Sequence, residues 1–143
     1  MSNDFNVEQW MKLHNPVPKG IKFLGHTFTE PASFRLRLSP VSPGVYAILV
    51  PDRAGDGNEY EVIYFGECGD FPRQVARTHE NYRDWLDEAG GLENLYVAYY
   101  ATPFLSEGQR RAVKSSLVEH YHPVCNEKAG RHFSFGALLG IGR

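Results

Sequence analysis

Tyr46, Tyr64, His79 and Lys114 are the side chains of this sequence whose types and order carry the most chemistry. A phenol donates or accepts a hydrogen bond and can help activate water, an imidazole exchanges a proton near neutral pH, and an ammonium attracts an oxyanion. Arg77 and Arg110 add cations, Gln74 and Asn126 add amides, and Glu67 and Glu107 are the acids placed to join them. Together these types suit phosphoryl chemistry or the binding of an anion.

Holding such a set requires a hairpin and two helices. Gly44 to Val50 and Tyr60 to Gly66 are nearly continuous apolar runs on either side of Gly55-Asp56-Gly57-Asn58, which is turn chemistry, so a β-hairpin carrying both tyrosines is expected. Asp70 and Pro72 open a helix expected to run to about Glu88, with Phe71, Val75, Tyr82 and Leu86 at helical spacing and a stop at Gly90-Gly91. Leu95 to Ala101 is aromatic and β-branched, a third strand. Ser106 with Gln109 forms a capping box for a helix to about Tyr121, ended by Pro123. Upstream, residues 5–14 suit a short amphipathic helix closed by Pro16 and Pro18, Ile21 to Thr29 is extended, and Phe34 to Leu38 alternates with period two. The fold class expected is α+β: a small three-stranded antiparallel sheet flanked by helices over residues 42–127. An N-terminal helix and strand extension over 1–41 packs on it, and 128–143 form a tail.

Taken in order, Gly44-Val45-Tyr46, Tyr64-Phe65-Gly66 and the later helix ending Leu117-Val118, Tyr121, Pro123, Asn126 resemble the GIY-YIG nuclease domain over roughly residues 42–127. Each triplet alone is a weak signal; their joint order, the turn between them and the spacing after a capped helix make the resemblance specific. It implies metal-dependent phosphodiester cleavage. That chemistry needs an acid to hold Mg²⁺ or Mn²⁺, a base to activate water and a cation to steady the phosphorane charge. In the family these fall to a glutamate, to the tyrosine of the second motif aided by a nearby Tyr or His, and to an arginine. By position, Tyr64 is the base-like tyrosine, Tyr46 is its neighbour, His79 lies one residue beyond the auxiliary position, and Asn126 holds the C-terminal end of the site. The sequence departs from the pattern twice. Lys114 stands twelve residues before Asn126 where the family has its glutamate, and Gln74 stands eight residues after Gly66 where it has its arginine.

Helical geometry places Lys114 between Leu117 and Val118 and beside Tyr121, in the middle of the apolar arc. Glu119 falls on the far side of that helix. Glu107 shares the arc two turns earlier, roughly 10 Å away along the axis, where it suits the helix dipole. Arg73 and Arg77 project away from the apolar stripe of their helix, so Arg77 reaches inward only by bending. An ammonium at 4 Å repels each unit of cation charge by about 4 kcal/mol at an effective dielectric of 20. Lys114, with Arg110 one turn earlier on the same face, attracts an anion instead. Tyr64, Tyr46, Gln74 and Asn126 would add neutral hydrogen bonds.

Plainer roles stand beside these. Tyr46 and Tyr64 fit half-buried strand positions, and His79 fits a core histidine bonded to a carbonyl. Cys68 and Cys125 fit small buried hydrophobes, although the order of motifs would allow them to approach across the site. Glu67 fits a solvent-facing or turn-capping residue. Arg35 and Arg37 alternate with apolar residues as on a half-exposed strand. The tail Gly136 to Gly142 follows no strand and is no dinucleotide fingerprint.

The net charge of −2 lacks the basic footprint of a domain gripping duplex DNA unaided. Two cysteines are too few for a disulfide framework and set no metal-ligand spacing. No secretory leader or membrane span is visible, and a cytoplasmic location is expected. The function expected is a catalytically degenerate GIY-YIG-like domain, a binding or regulatory module for a protein partner or a nucleic-acid phosphate, with no cofactor. The alternative is an active endonuclease in which Glu67 or Glu107 holds Mg²⁺ or Mn²⁺ and Arg77 bends inward.

Overall fold

The computed structural model describes residues 20–36, 42–53, 55, 57 and 59–129. The expected helix over 5–14, Arg37 and the Gly-rich tail lie outside the described residues. The described chain is a mixed α+β structure with antiparallel sheets.

Strands β1 (Ile21–Phe23) and β2 (His26–Phe28) form a tight hairpin, then β3 (Ala32–Ser33), β4 (Gly44–Pro51), β5 (Tyr60–Cys68) and β6 (Tyr96–Ala101) form a sheet in the order β3-β6-β4-β5. The hairpin over β4 and β5 and the later strand follow the sequence pattern. The sheet nevertheless has four strands rather than three. Ala32 and Ser33 pair with Val97 and Tyr96 and so cover the outer edge of β6, satisfying backbone groups that an edge leaves open. Of the strand expected over Phe34 to Leu38, residues 34–36 are described and form a turn. Leu36 N–H donates to the Ser33 carbonyl and Arg35 N–H to Ser33 Oγ, closing a turn that competes with extended pairing.

Central strand β4 is covered on both faces, which its unbroken apolar run requires. Tyr46, Ile48 and Val50 meet Phe34, Phe71, Val75 and Trp85 on the first face; Val45, Ala47 and Leu49 meet Phe23, Phe28, Phe65 and Leu117 on the second. One irregularity matters for the site. Ile48 pairs with Tyr64 but Leu49 pairs with Val62, leaving Ile63 as an extra residue in β5. This β-bulge switches the alternation, so that Val62 packs on the second face while Tyr64 packs on the first.

The helix expected from Asp70 to Glu88 is two helices, α1 (Phe71–Gln74) and α2 (Tyr82–Ala89). Asp70 caps α1 by accepting from Arg73 N–H, but Val75 leaves helical geometry at φ −99° and ψ 80°. Between them local bonds replace helical ones: His79 Nδ1 accepts from Asn81 N–H, and the His79 carbonyl accepts from Tyr82 N–H. Thr, His and Asn in Thr78-His79-Glu80-Asn81 are types that offer the backbone such alternatives. Trp85, absent from the expected apolar stripe, is the fully buried residue of α2.

Helix α3 (Glu107–Tyr121) starts at the expected capping box, with Ser106 and Gln109 bonding reciprocally, and ends in a left-handed His122 before Pro123. A last helix, α4, covers 124–129. No helix among the described residues is long and apolar enough to cross a membrane.

Candidate functional site

A cavity of about 370 Å³ opens on the first face of the sheet. Strands β4 and β5 supply Tyr46, Tyr64, Gly66 and Glu67; α1 supplies Arg73 and Gln74; the segment before α2 supplies Thr78, His79 and Glu80; and α3 supplies Lys114. The bulge at Ile63 aims Tyr64 here, and the break after α1 carries His79 to the same place.

Tyr46 and His79 form its floor. The Tyr46 hydroxyl and His79 Nε2 lie 3.1 Å apart. A backbone N–H can only donate, so His79 Nδ1, taking the Asn81 N–H at 3.0 Å, is the acceptor nitrogen. In the neutral ring the proton is therefore on Nε2, which donates to Tyr46. Burial lowers the His79 pKa, with Glu80 opposing, and so favours that neutral form. The Tyr64 ring lies beside that of Tyr46, with centroids 6.2 Å apart, and lines the same cavity.

Burial, then Glu80, push the Tyr64 phenol up to about 12, although the neighbouring Tyr46 hydroxyl pulls the other way. At neutral pH Tyr64 is a hydrogen-bond donor, and the role of base expected from its position is not the one its surroundings favour. Tyr46 is raised well above its usual value, chiefly by burial.

Glu67 is held by cations. Arg110 Nε lies 3.1 Å from Oε2, with both side chains largely buried, and Arg111 Nε lies 3.6 Å from Oε1. Arg110, expected to face an anion, is thereby committed to Glu67, and Glu67 is neither solvent-facing nor a turn cap. Glu107 pairs with Arg111 one turn on. Glu119 is exposed.

The amides divide. Asn126 Oδ1 accepts from Phe65 N–H at 2.8 Å and its Nδ2 donates to the Phe65 carbonyl at 2.9 Å. It closes the outer edge of β5 as a strand would, so Asn126 is a clamp and not an anion contact. Gln74 Oε1 accepts from Gly69 and Asp70 N–H at 2.9 and 3.0 Å. Its Nε2 remains for the cavity.

Among cations, Lys114 lines the cavity as its place on the helical arc implies. Arg77 does not; it lies in the irregular segment and is exposed, while Arg73, one turn earlier, is the arginine of the lining. The unbroken helix expected for this stretch concealed that. Cys68 and Cys125 are buried free thiols; Cys125 Sγ donates to the Asp84 carbonyl.

Among the described residues no group of three or more His, Cys, Asp or Glu is placed to hold a metal ion. Glu67 already faces two guanidinium groups, Glu107 faces one of them, and Lys114 adds a third positive charge to that wall. What the cavity does offer is a convergence of donors. Comparison of the chain with protein-family models, curated proteins and solved structures finds no match.

Proposed function

We propose that this protein is a GIY-YIG-like domain without its cleavage chemistry, serving as a binding or regulatory module for a ligand that presents an oxyanion. The observation that carries this reading is Lys114 in one cavity with Tyr64 and with a Glu67 already engaged by Arg110 and Arg111. A carboxylate so engaged attracts a metal weakly, while an ammonium beside a phenol donor attracts an anion. The order of hairpin, helix, strand and helix, with the two tyrosines facing one cavity, supports the resemblance. The near-neutral charge favours a compact anionic group, on a protein or on a nucleic acid, over an extended duplex.

The test is Mg²⁺- and Mn²⁺-dependent cleavage of single-stranded, duplex and branched DNA and RNA by the wild type, Tyr64→Phe and Lys114→Glu. No cleavage by the wild type, with anion binding lost in Lys114→Glu, is expected. Metal-dependent cleavage abolished by Tyr64→Phe would overturn this reading in favour of an active nuclease with a relocated acid.

A further inference from the structure

Building on that anion-binding reading, we infer that the cavity is a pocket for a nucleoside monophosphate whose base carries an exocyclic amine. Three observations converge. First, about 370 Å³ falls within the range of cavities that take organic ligands, and is far more than a lone oxyanion fills.

Second, the donors at the cavity come from separate elements and suit a multidentate anion. Lys114 from α3 and Arg73 from α1 bring charge, the Gln74 amide is turned so that Nε2 is what it offers, and Tyr64 brings a phenol hydroxyl. Phosphate oxygens accept several such bonds at once.

Third, the lining is not uniformly donating. Glu80, an exposed carboxylate from the segment between α1 and α2, adds an acceptor beside Tyr64 and His79. A bare phosphate is repelled by it. A ligand that carries both an oxyanion and an N–H donor is matched by it. The floor between is aromatic: the half-buried Tyr64 and His79 rings lie edge to face with centroids 5.8 Å apart, and His79 rests against the buried Trp85, tilted by 35° with centroids 4.5 Å apart. Tyr64 and His79, and not the buried Tyr46, are the rings offered to the flat face of a base. Phosphate, planar ring and amine are the three parts of an adenine or cytosine nucleotide.

Calorimetric titration of the full chain with AMP, purine riboside 5′-monophosphate and inorganic phosphate tests this, because the purine nucleotide differs from AMP only by loss of the amine. AMP is expected to bind about tenfold or more tighter than phosphate and than the purine nucleotide, the scale set by a hydrogen bond to a charged group. Glu80→Ala, at an exposed position, should bring AMP to the level of the purine nucleotide and leave phosphate no weaker. Lys114→Ala should weaken all three. The 5′-phosphorylated trinucleotide pApApA separates two sources of the same group: tighter binding than AMP identifies a strand end, equal binding a free nucleotide. Phosphate or oligonucleotide binding with no preference for AMP, or a preference that Glu80→Ala leaves intact, would overturn the nucleotide assignment and spare the anion-binding reading. Absence of binding by every one of these anions would overturn both.

Discussion

The phenol of Tyr46 lies across Gly66, its partner in the β4–β5 ladder, so closely that a Cβ at 66 would stand 2.3 Å from the ring Cζ and hydroxyl. The glycine is required by contact and not by backbone angle. Because Tyr46 is also bonded to His79, the ring cannot move aside without breaking the floor of the cavity. Gly66→Ala is therefore expected to destabilise the fold by about 1–3 kcal/mol, the cost of overpacking a filled site. Urea denaturation measures it, and an unchanged midpoint would mean the ring yields freely.

Asn126 and Phe65 set a second expectation. Phe65 is fully buried on an edge strand, and both of its backbone groups are satisfied by one side chain. Asn126→Ala leaves a buried donor and acceptor without partners, at about 1–3 kcal/mol for each. Amide exchange at Phe65 should accelerate along with the fall in stability. A loss of anion affinity with normal stability would instead place Asn126 at the ligand.

Much of this arrangement is legible in the residues. The apolar runs of β4 and β5 around a glycine turn, and the Ser106–Gln109 box, specify their elements locally, where pattern and capping chemistry act without help from the rest of the chain. Lys114 on an inward arc is likewise a matter of helical angle. What escapes such reasoning depends on long-range choices. The bulge at Ile63 is decided by which faces are filled, the break after Gln74 by bonds around His79, and β3 by an open edge on β6 that sits far away in sequence. Trp85 does carry a signal, three residues after Tyr82, and belongs on the stripe. The commitment of Arg110 to Glu67 has no local signature, since 43 residues separate them.

His79 gives the fold a pH dependence with a definite sign. Burial lowers its pKa below the unfolded value of 6.5, so on acidification the unfolded chain takes up its proton first. Its contribution is full above about 6.5 and is lost as pH falls through the lowered folded value. Denaturant midpoints should drop between pH 7.5 and 5, and the drop should be smaller in His79→Gln, which keeps a polar group but cannot titrate. An equal drop in both would locate the acid sensitivity elsewhere.

The thiols should be inert in the native chain. Burial raises Cys68 to about 11 and Cys125 to about 12, and neither is exposed. A thiol reacts as its thiolate and needs access. An Ellman-type reagent at pH 8 is expected to label neither residue before denaturation and both after it. Rapid native labelling of either would show a more open core on that face.

Glu67 is the acid that a metal-dependent site would most need, and its pairing with Arg110 makes the consequence measurable. Their side chains are 16% and 11% exposed, so removing the carboxylate strands a nearly buried guanidinium. Glu67→Ala should cost about 3 kcal/mol, toward the lower end of the range for breaking a buried pair because some solvent reaches both groups. Glu67→Gln, which can still accept a hydrogen bond, should cost less. The same pairing predicts that millimolar Mg²⁺ leaves the thermal midpoint of the wild type unmoved, since Lys114 and two arginines oppose the cation. In Lys114→Glu the cavity lining exchanges an ammonium for a third carboxylate beside Glu67 and Glu80, and Mg²⁺ should then raise the midpoint. A rise already present in the wild type would show that Glu67 or Glu80 holds metal despite its neighbours.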